Sequence, residues 1–227
     1  MLIVHSLDKT TQFLSAIPRF IKQGGFNKFE YHVVEHPVSD AEAIIQKIRE
    51  YPEESLIVFL GHGASHCIYL PITPDVNKLQ LINKDNFHVL HGRHFISLSC
   101  RSEEFIRRNY VVTSNSTMLG FDDLPTHWDD VTAIREMDPS VYRNMTDDVL
   151  MHFRNLLVDV FQKALLDTLL QGENFKFFTY RLQLYINRHR SNVLLSKVSD
   201  NPSLLASILF DLKEGMKLFG NGDKLLK

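Results

Sequence analysis

Two residues of this 227-residue chain could perform nucleophilic chemistry together: His62, held between Gly61 and Gly63, and Cys100, 38 positions later. The thiolate is the nucleophilic form of cysteine, and a histidine within reach can take or share the thiol proton. Glycine on either side of His62 lets the backbone turn sharply and leaves the Gly63 N–H unshielded toward a substrate carbonyl. With the Cys100 N–H it would form an oxyanion hole, each donor contributing roughly 2.7–4 kcal/mol in the transition state. Arg101 to Glu104 are expected to open a helix directly after Cys100, with its N-terminal dipole favouring the thiolate.

Rival sites are weaker. Cys67 lies five residues past His62 on a poor strand and reads as structural. His88, His91 and His94 stand at three-residue spacing, which suggests zinc, but such a series drifts around a helix and His94 belongs to a strand. They are expected on the surface, with no metal site. His127 and Trp128 are placed in a loop. Gly24-Gly25 follows a helix and so makes no phosphate loop between a strand and a helix. No cofactor is implied.

The elements that must position the pair follow from hydrophobic spacing. Leu56–Leu60 is an unbroken apolar run of the kind buried on both faces of a parallel sheet, and it runs straight into Gly61-His62-Gly63. His94–Cys100 is a second buried strand, with Cys100 as its last residue. Further strands are predicted at Leu2–Leu7, Phe29–His36 and Thr117–Phe121, and a small projecting hairpin from Cys67–Leu70 and Leu79–Ile82. Helices are predicted over Thr10–Gln23, with Pro18 kinking or interrupting it, and from a Ser39/Glu42 capping box through Tyr51. A short helix spans Ser102–Arg108. After Pro125 the chain turns helical, with Asp147–Leu170, Phe175–Asn192 and Ser203–Phe219. The predicted fold class is α/β, a mostly parallel sheet sandwiched by helices with a helical C-terminal extension. Residues 1–227 are read as one domain, an α/β core to about residue 125 and a helical closing segment from 126 onward. In such a sheet, ligands gather at the carboxyl ends of the strands, where His62 and Cys100 both fall.

A formal net charge of −2 gives no global attraction to nucleic acid or an anionic membrane. No segment reaches the ~18 apolar residues of a membrane span. The first residues lack the charge pattern of a signal peptide. Two cysteines make no disulfide framework, so a reducing cytoplasm is expected.

An apolar strand ending in His-Gly, followed by an apolar strand ending in Cys, resembles the signature of caspase-like cysteine peptidases, and within them the bacterial CHAT proteases. Ser97-Leu98-Ser99-Cys100-Arg101-Ser102, Leu119-Gly120-Phe121 with Asp122-Asp123-Leu124-Pro125, and the helix carrying Tyr180-Arg181 resemble that family over residues 55–190. The resemblance implies a cysteine endopeptidase that cleaves a partner protein, with a His62–Cys100 dyad and the Gly63 and Cys100 amides as oxyanion hole. Leu98 stands where caspases carry a glutamine, which departs from their aspartate-directed pocket. CHAT proteases prefer a basic residue, and Asp122 and Asp123 could supply the acidic pocket that reads it. By analogy the setting is bacterial antiviral defence, with control by a regulatory protein or by oligomerisation. The alternative is a catalytically silent protein-interaction module of the same fold.

Overall fold

The computed structural model of the chain describes residues 1–73 and 78–226. Strand β1 (Leu2–Ser6) is followed by helix α1 (Ala16–Gln23), strand β2 (Glu30–Val34), helix α2 (Pro37–Glu50) and strand β3 (Leu56–Leu60). Three short antiparallel strands, β4 (His62–Ala64), β5 (Cys67–Tyr69) and β6 (Gln80–Asn83), form a separate small sheet. The main sheet resumes with β7 (His94–Leu98), then α3 (Ser102–Asn109) and β8 (Met118–Gly120). Helices α4 (Trp128–Met137), α5 (Asp147–Gln171), α6 (Phe175–Ser196) and α7 (Pro202–Glu214) lead to a last strand, β9 (Lys217–Phe219).

The main sheet has the order β2-β1-β3-β7-β8-β9, parallel throughout except for β9. The architecture is therefore α/β, with a mostly parallel sheet between helices and a helical C-terminal region. Alternation explains the continuous apolar strands. Val58, Ile96 and Leu119 pack toward the core shared with α1, α4, α5, α6 and α7, whereas Ile57, Phe59, Phe95 and Met118 pack toward α2 and α3. Each such side chain stabilises the fold by about 1.5–3 kcal/mol when fully buried.

Several boundaries differ from the sequence reading. Pro18 sits in the first turn of α1, after a 3-10 turn over Gln12–Ser15, where its missing N–H costs no helical bond. The capping box at Ser39 and Glu42 does not form. Helix α2 opens earlier, at Pro37, and Asp40 accepts from the His36 N–H at 3.1 Å. His127 and Trp128 are not in a loop: the His127 side chain caps α4, and Trp128 is its first residue. The final helix stops at Glu214, and the strand β9 that follows pairs antiparallel with β8.

The turn after β7 is tightly specified. Ser102 is fully buried, donating to the Ser97 and Ser99 carbonyls at 2.9 and 2.8 Å and accepting from the Phe121 N–H at 3.0 Å. Arg101 takes a left-handed conformation, φ 53°, to swing the chain into α3. The α3 backbone then lies so close to β8 that a Cβ on Gly120 would stand 2.6 Å from the Glu103 nitrogen. Gly120→Ala is expected to destabilise the protein by about 1–3 kcal/mol, lowering the melting temperature by roughly 2–4 °C per kcal/mol. A thermal melt followed by circular dichroism checks this.

Candidate active site

The chain order splits the sheet between β1 and β3: β2 follows on one side of β1, and β3 on the other. Loops leaving two such strands diverge and open a crevice at the carboxyl edge. Asp8 lies two residues beyond β1, and His62 two beyond β3. They meet there, His62 Nε2 standing 2.8 Å from Asp8 Oδ2.

Asp8 is held by several donors. Its Oδ1 accepts from the Thr10 N–H at 2.8 Å, the Thr10 hydroxyl at 2.6 Å and the Thr11 N–H at 3.1 Å, and its Oδ2 accepts from the Ile72 N–H at 3.0 Å. Burial alone would raise this carboxyl, but the hydrogen bonds from His62 and Thr10 outweigh it and keep it well below the usual carboxylate range. An ionised Asp8 accepts only, so His62 carries its proton on Nε2. The Thr10 hydroxyl also touches that nitrogen, at 3.0 Å. The lone pair is thereby placed on Nδ1, the nitrogen that can take a proton.

Cys100 lies two residues past the end of β7 and is not its last residue. Strands β3 and β7 are direct neighbours, with Leu60 opposite Leu98, so both lead their following residues to one edge. Gly63 is the contact between the two arms. A Cβ there would stand 2.6 Å from Ser99 Oγ and 2.7 Å from the Cys100 carbonyl, so only glycine permits the approach. His62, Cys100, Thr11, Phe13, Thr126 and Asp130 line one narrow pocket.

Both proposed oxyanion donors are compatible with that role. The two-residue turn at Ser65 and His66 makes Ala64–Cys67 the hydrogen-bonded pair of the hairpin and Gly63–Ile68 the non-bonded one. The Gly63 amide therefore points away from β5. The Cys100 amide makes no hydrogen bond among the described residues, whereas the next amide, Arg101, donates to Asp122 at 3.1 Å.

The thiol itself does not meet the expectation of an activated thiolate. It donates to the Leu124 carbonyl at 3.1 Å and lies 3.9 Å from Asp130 Oδ1, and no hydrogen bond joins it to His62. Burial first, and the Asp130 carboxylate second, push it well above the ordinary cysteine range.

Asp122 and Asp123 open into a neighbouring cleft of about 530 Å³, together with Glu103, Asp138, Asp211 and Glu214. Lys217 is the one basic residue on that lining. Burial, and then the charge on Asp122, raise the Asp123 carboxyl, and its charge reaches Cys100. Cys67 is fully buried in β5, paired with Ala64 and absent from the lining of this pocket, and burial raises its thiol too. His94 is also buried in β7, accepting from the Thr117 N–H at 3.1 Å, rather than on the surface. No group of metal-binding side chains occurs among the described residues.

Sequence reasoning did not reach Asp8, Thr10, Asp130, Asp211 or Glu214. Asp8 carried a signal, being an acidic residue just past a strand, but its use depended on knowing that β1 and β3 are adjacent. No family model matches the chain, and no curated protein or solved structure matches it. No helix is long and apolar enough to cross a membrane among the described residues.

The Asp8–His62 pair gives a pH-dependent expectation. A carboxyl depressed in the folded state stabilises the fold above its unfolded value of about 3.9, and the contribution fades as pH falls below that. Asp8→Asn should lower unfolding free energy at pH 7 by about 1–3 kcal/mol. In urea titrations the gap from wild type should narrow between about pH 4 and pH 2.

Proposed function

We propose that this chain is a cysteine endopeptidase acting on a partner protein and cleaving after a lysine or arginine. The observation that carries the reading is the convergence of His62, oriented by Asp8, and Cys100 on one pocket at the carboxyl edge of the sheet. The resemblance to CHAT proteases supports the same dyad, and supports a cytoplasmic defence role for the enzyme. Cys100 Sγ attacks the scissile carbonyl carbon, and His62 Nδ1 takes the thiol proton and returns it to the leaving amine. The resulting thioester is then hydrolysed by water. The Gly63 and Cys100 amides bind the oxygen as its charge develops.

The acidic cleft supports the choice of substrate. Its carboxylates crowd one another, and a lysine or arginine side chain entering it would relieve that repulsion beside Cys100. A second reading, the catalytically silent interaction module, is favoured by one observation: the Cys100 thiol is bonded to Leu124 rather than to His62.

The test is a comparison of new protein N-termini in bacterial cells expressing Asp130→Asn, which neutralises the carboxylate beside the thiol, alone or combined with Cys100→Ala or His62→Ala, read by terminal-peptide mass spectrometry. New termini preceded by lysine or arginine are expected in Asp130→Asn alone. Identical termini in all three would remove the peptidase reading, and termini after acidic or apolar residues would remove the role of Asp122 and Asp123.

A further inference from the structure

The pocket shared by His62 and Cys100 holds a carboxylate that this chemistry does not use. Asp130 is largely buried at the start of α4. Its Oδ2 accepts from the Thr126 N–H at 3.1 Å, the Thr126 hydroxyl at 3.0 Å and the His127 N–H at 2.8 Å. Oδ1, the oxygen left over, faces the Cys100 sulfur. The thiol also donates to the Leu124 carbonyl at 3.1 Å. Both contacts come from one short segment that runs from the loop after β8 into the first turn of α4.

Two hydrogen bonds tie that segment to α5. Arg154 of α5 donates from its guanidinium to the Thr126 carbonyl, and its cation lies 5.8 Å from the Phe13 ring, which lines the same pocket. The Trp128 indole N–H donates to Asp147, the first residue of α5, at 2.6 Å. A shift of α5 would therefore pull on the segment without touching Cys100 or His62.

We propose that Leu124–Asp130 is a latch, braced on α5, that keeps the Cys100 thiol protonated and away from His62 until the segment moves. The inference rests on Cys100 being the nucleophile of the peptidase proposed above, and it names how that same site is held at rest. The charged and titratable groups that face the thiol are Asp130 from α4, Asp123 from the loop after β8, Tyr142 from the loop before α5, and His62 across the pocket. A carboxylate this close disfavours a thiolate, so releasing it frees the sulfur to ionise.

The test follows alkylation of Cys100 by iodoacetamide at pH 8, with peptide mass spectrometry giving the rate at Cys100 separately from that at Cys67. Asp130→Asn is expected to speed reaction at Cys100 about tenfold, one unit of acidity. Arg154→Gln and Trp128→Phe, which leave every contact of the thiol in place, are expected to speed it several-fold by loosening the brace. A folded Asp130→Asn protein that reacts at the wild-type rate would overturn the latch, and so would folded Arg154→Gln and Trp128→Phe proteins that both do. Should Asp130→Asn fail to fold, Arg154→Gln and Trp128→Phe decide, faster alkylation at Cys100 supporting the latch and the wild-type rate in both overturning it. These readouts need no proteolysis. Faster alkylation in Asp130→Asn alongside identical protein termini in Asp130→Asn and in Asp130→Asn combined with Cys100→Ala would keep the latch and remove the peptidase.

Discussion

The site depends on one ion pair placed at the split of the sheet. Asp8 and His62 arrive on loops from adjacent parallel strands that the chain leaves in opposite directions. Their contact fixes which imidazole nitrogen carries the proton, and so which one can accept another. Among the described residues six hydrogen bonds converge on the Asp8 carboxylate, one of them from His62, and keep it ionised despite its burial. Remove the charge, and the ring loses both its tautomer preference and its orientation.

A steric constraint completes the arrangement. Strand β4 can lie against the turn after β7 only because Gly63 has no side chain, and α3 can start beside β8 only because Gly120 has none. These two close approaches bring the histidine arm and the cysteine arm to one pocket. Within it, two carboxylates act in opposite senses. Asp8 pairs with Nε2 of His62 and fixes its ring, whereas Asp130 sits beside the Cys100 sulfur and opposes the thiolate. The difference is one of placement, since both are buried carboxylates with several donors.

The elements legible in the sequence were those whose burial leaves a strong pattern. Leu56–Leu60 and His94–Leu98 are apolar at nearly every position because helices cover both faces, and α5 shows its period over 25 residues. Helix α4 was missed because only Val131 and Ile134 are buried, and because a histidine caps it in place of the usual serine, threonine or aspartate. Strands β4 and β9 are three residues long and pair through backbone groups, which leave no mark on side-chain type. His62 and Cys100 were visible through their flanking residues. Asp8, Asp130 and Asp211 were not, because their roles follow from strand order and helix docking. Asp211 reaches the acidic cleft from α7, whose end packs on Asp122 through the Gly215 carbonyl.

The central claim is that His62 and Cys100 act as one catalytic unit with a preference for a basic side chain. It is tested most directly by intact-mass analysis of the Asp130→Asn protein, whose thiol is released, with a peptidyl acyloxymethyl ketone bearing arginine at the reactive end. A single adduct is expected, mapped to Cys100, forming far more slowly when His62→Ala is added and outcompeted by an arginine-containing peptide. Labelling of Cys100 at equal rates with and without His62→Ala, or labelling of Cys67 instead, would contradict it.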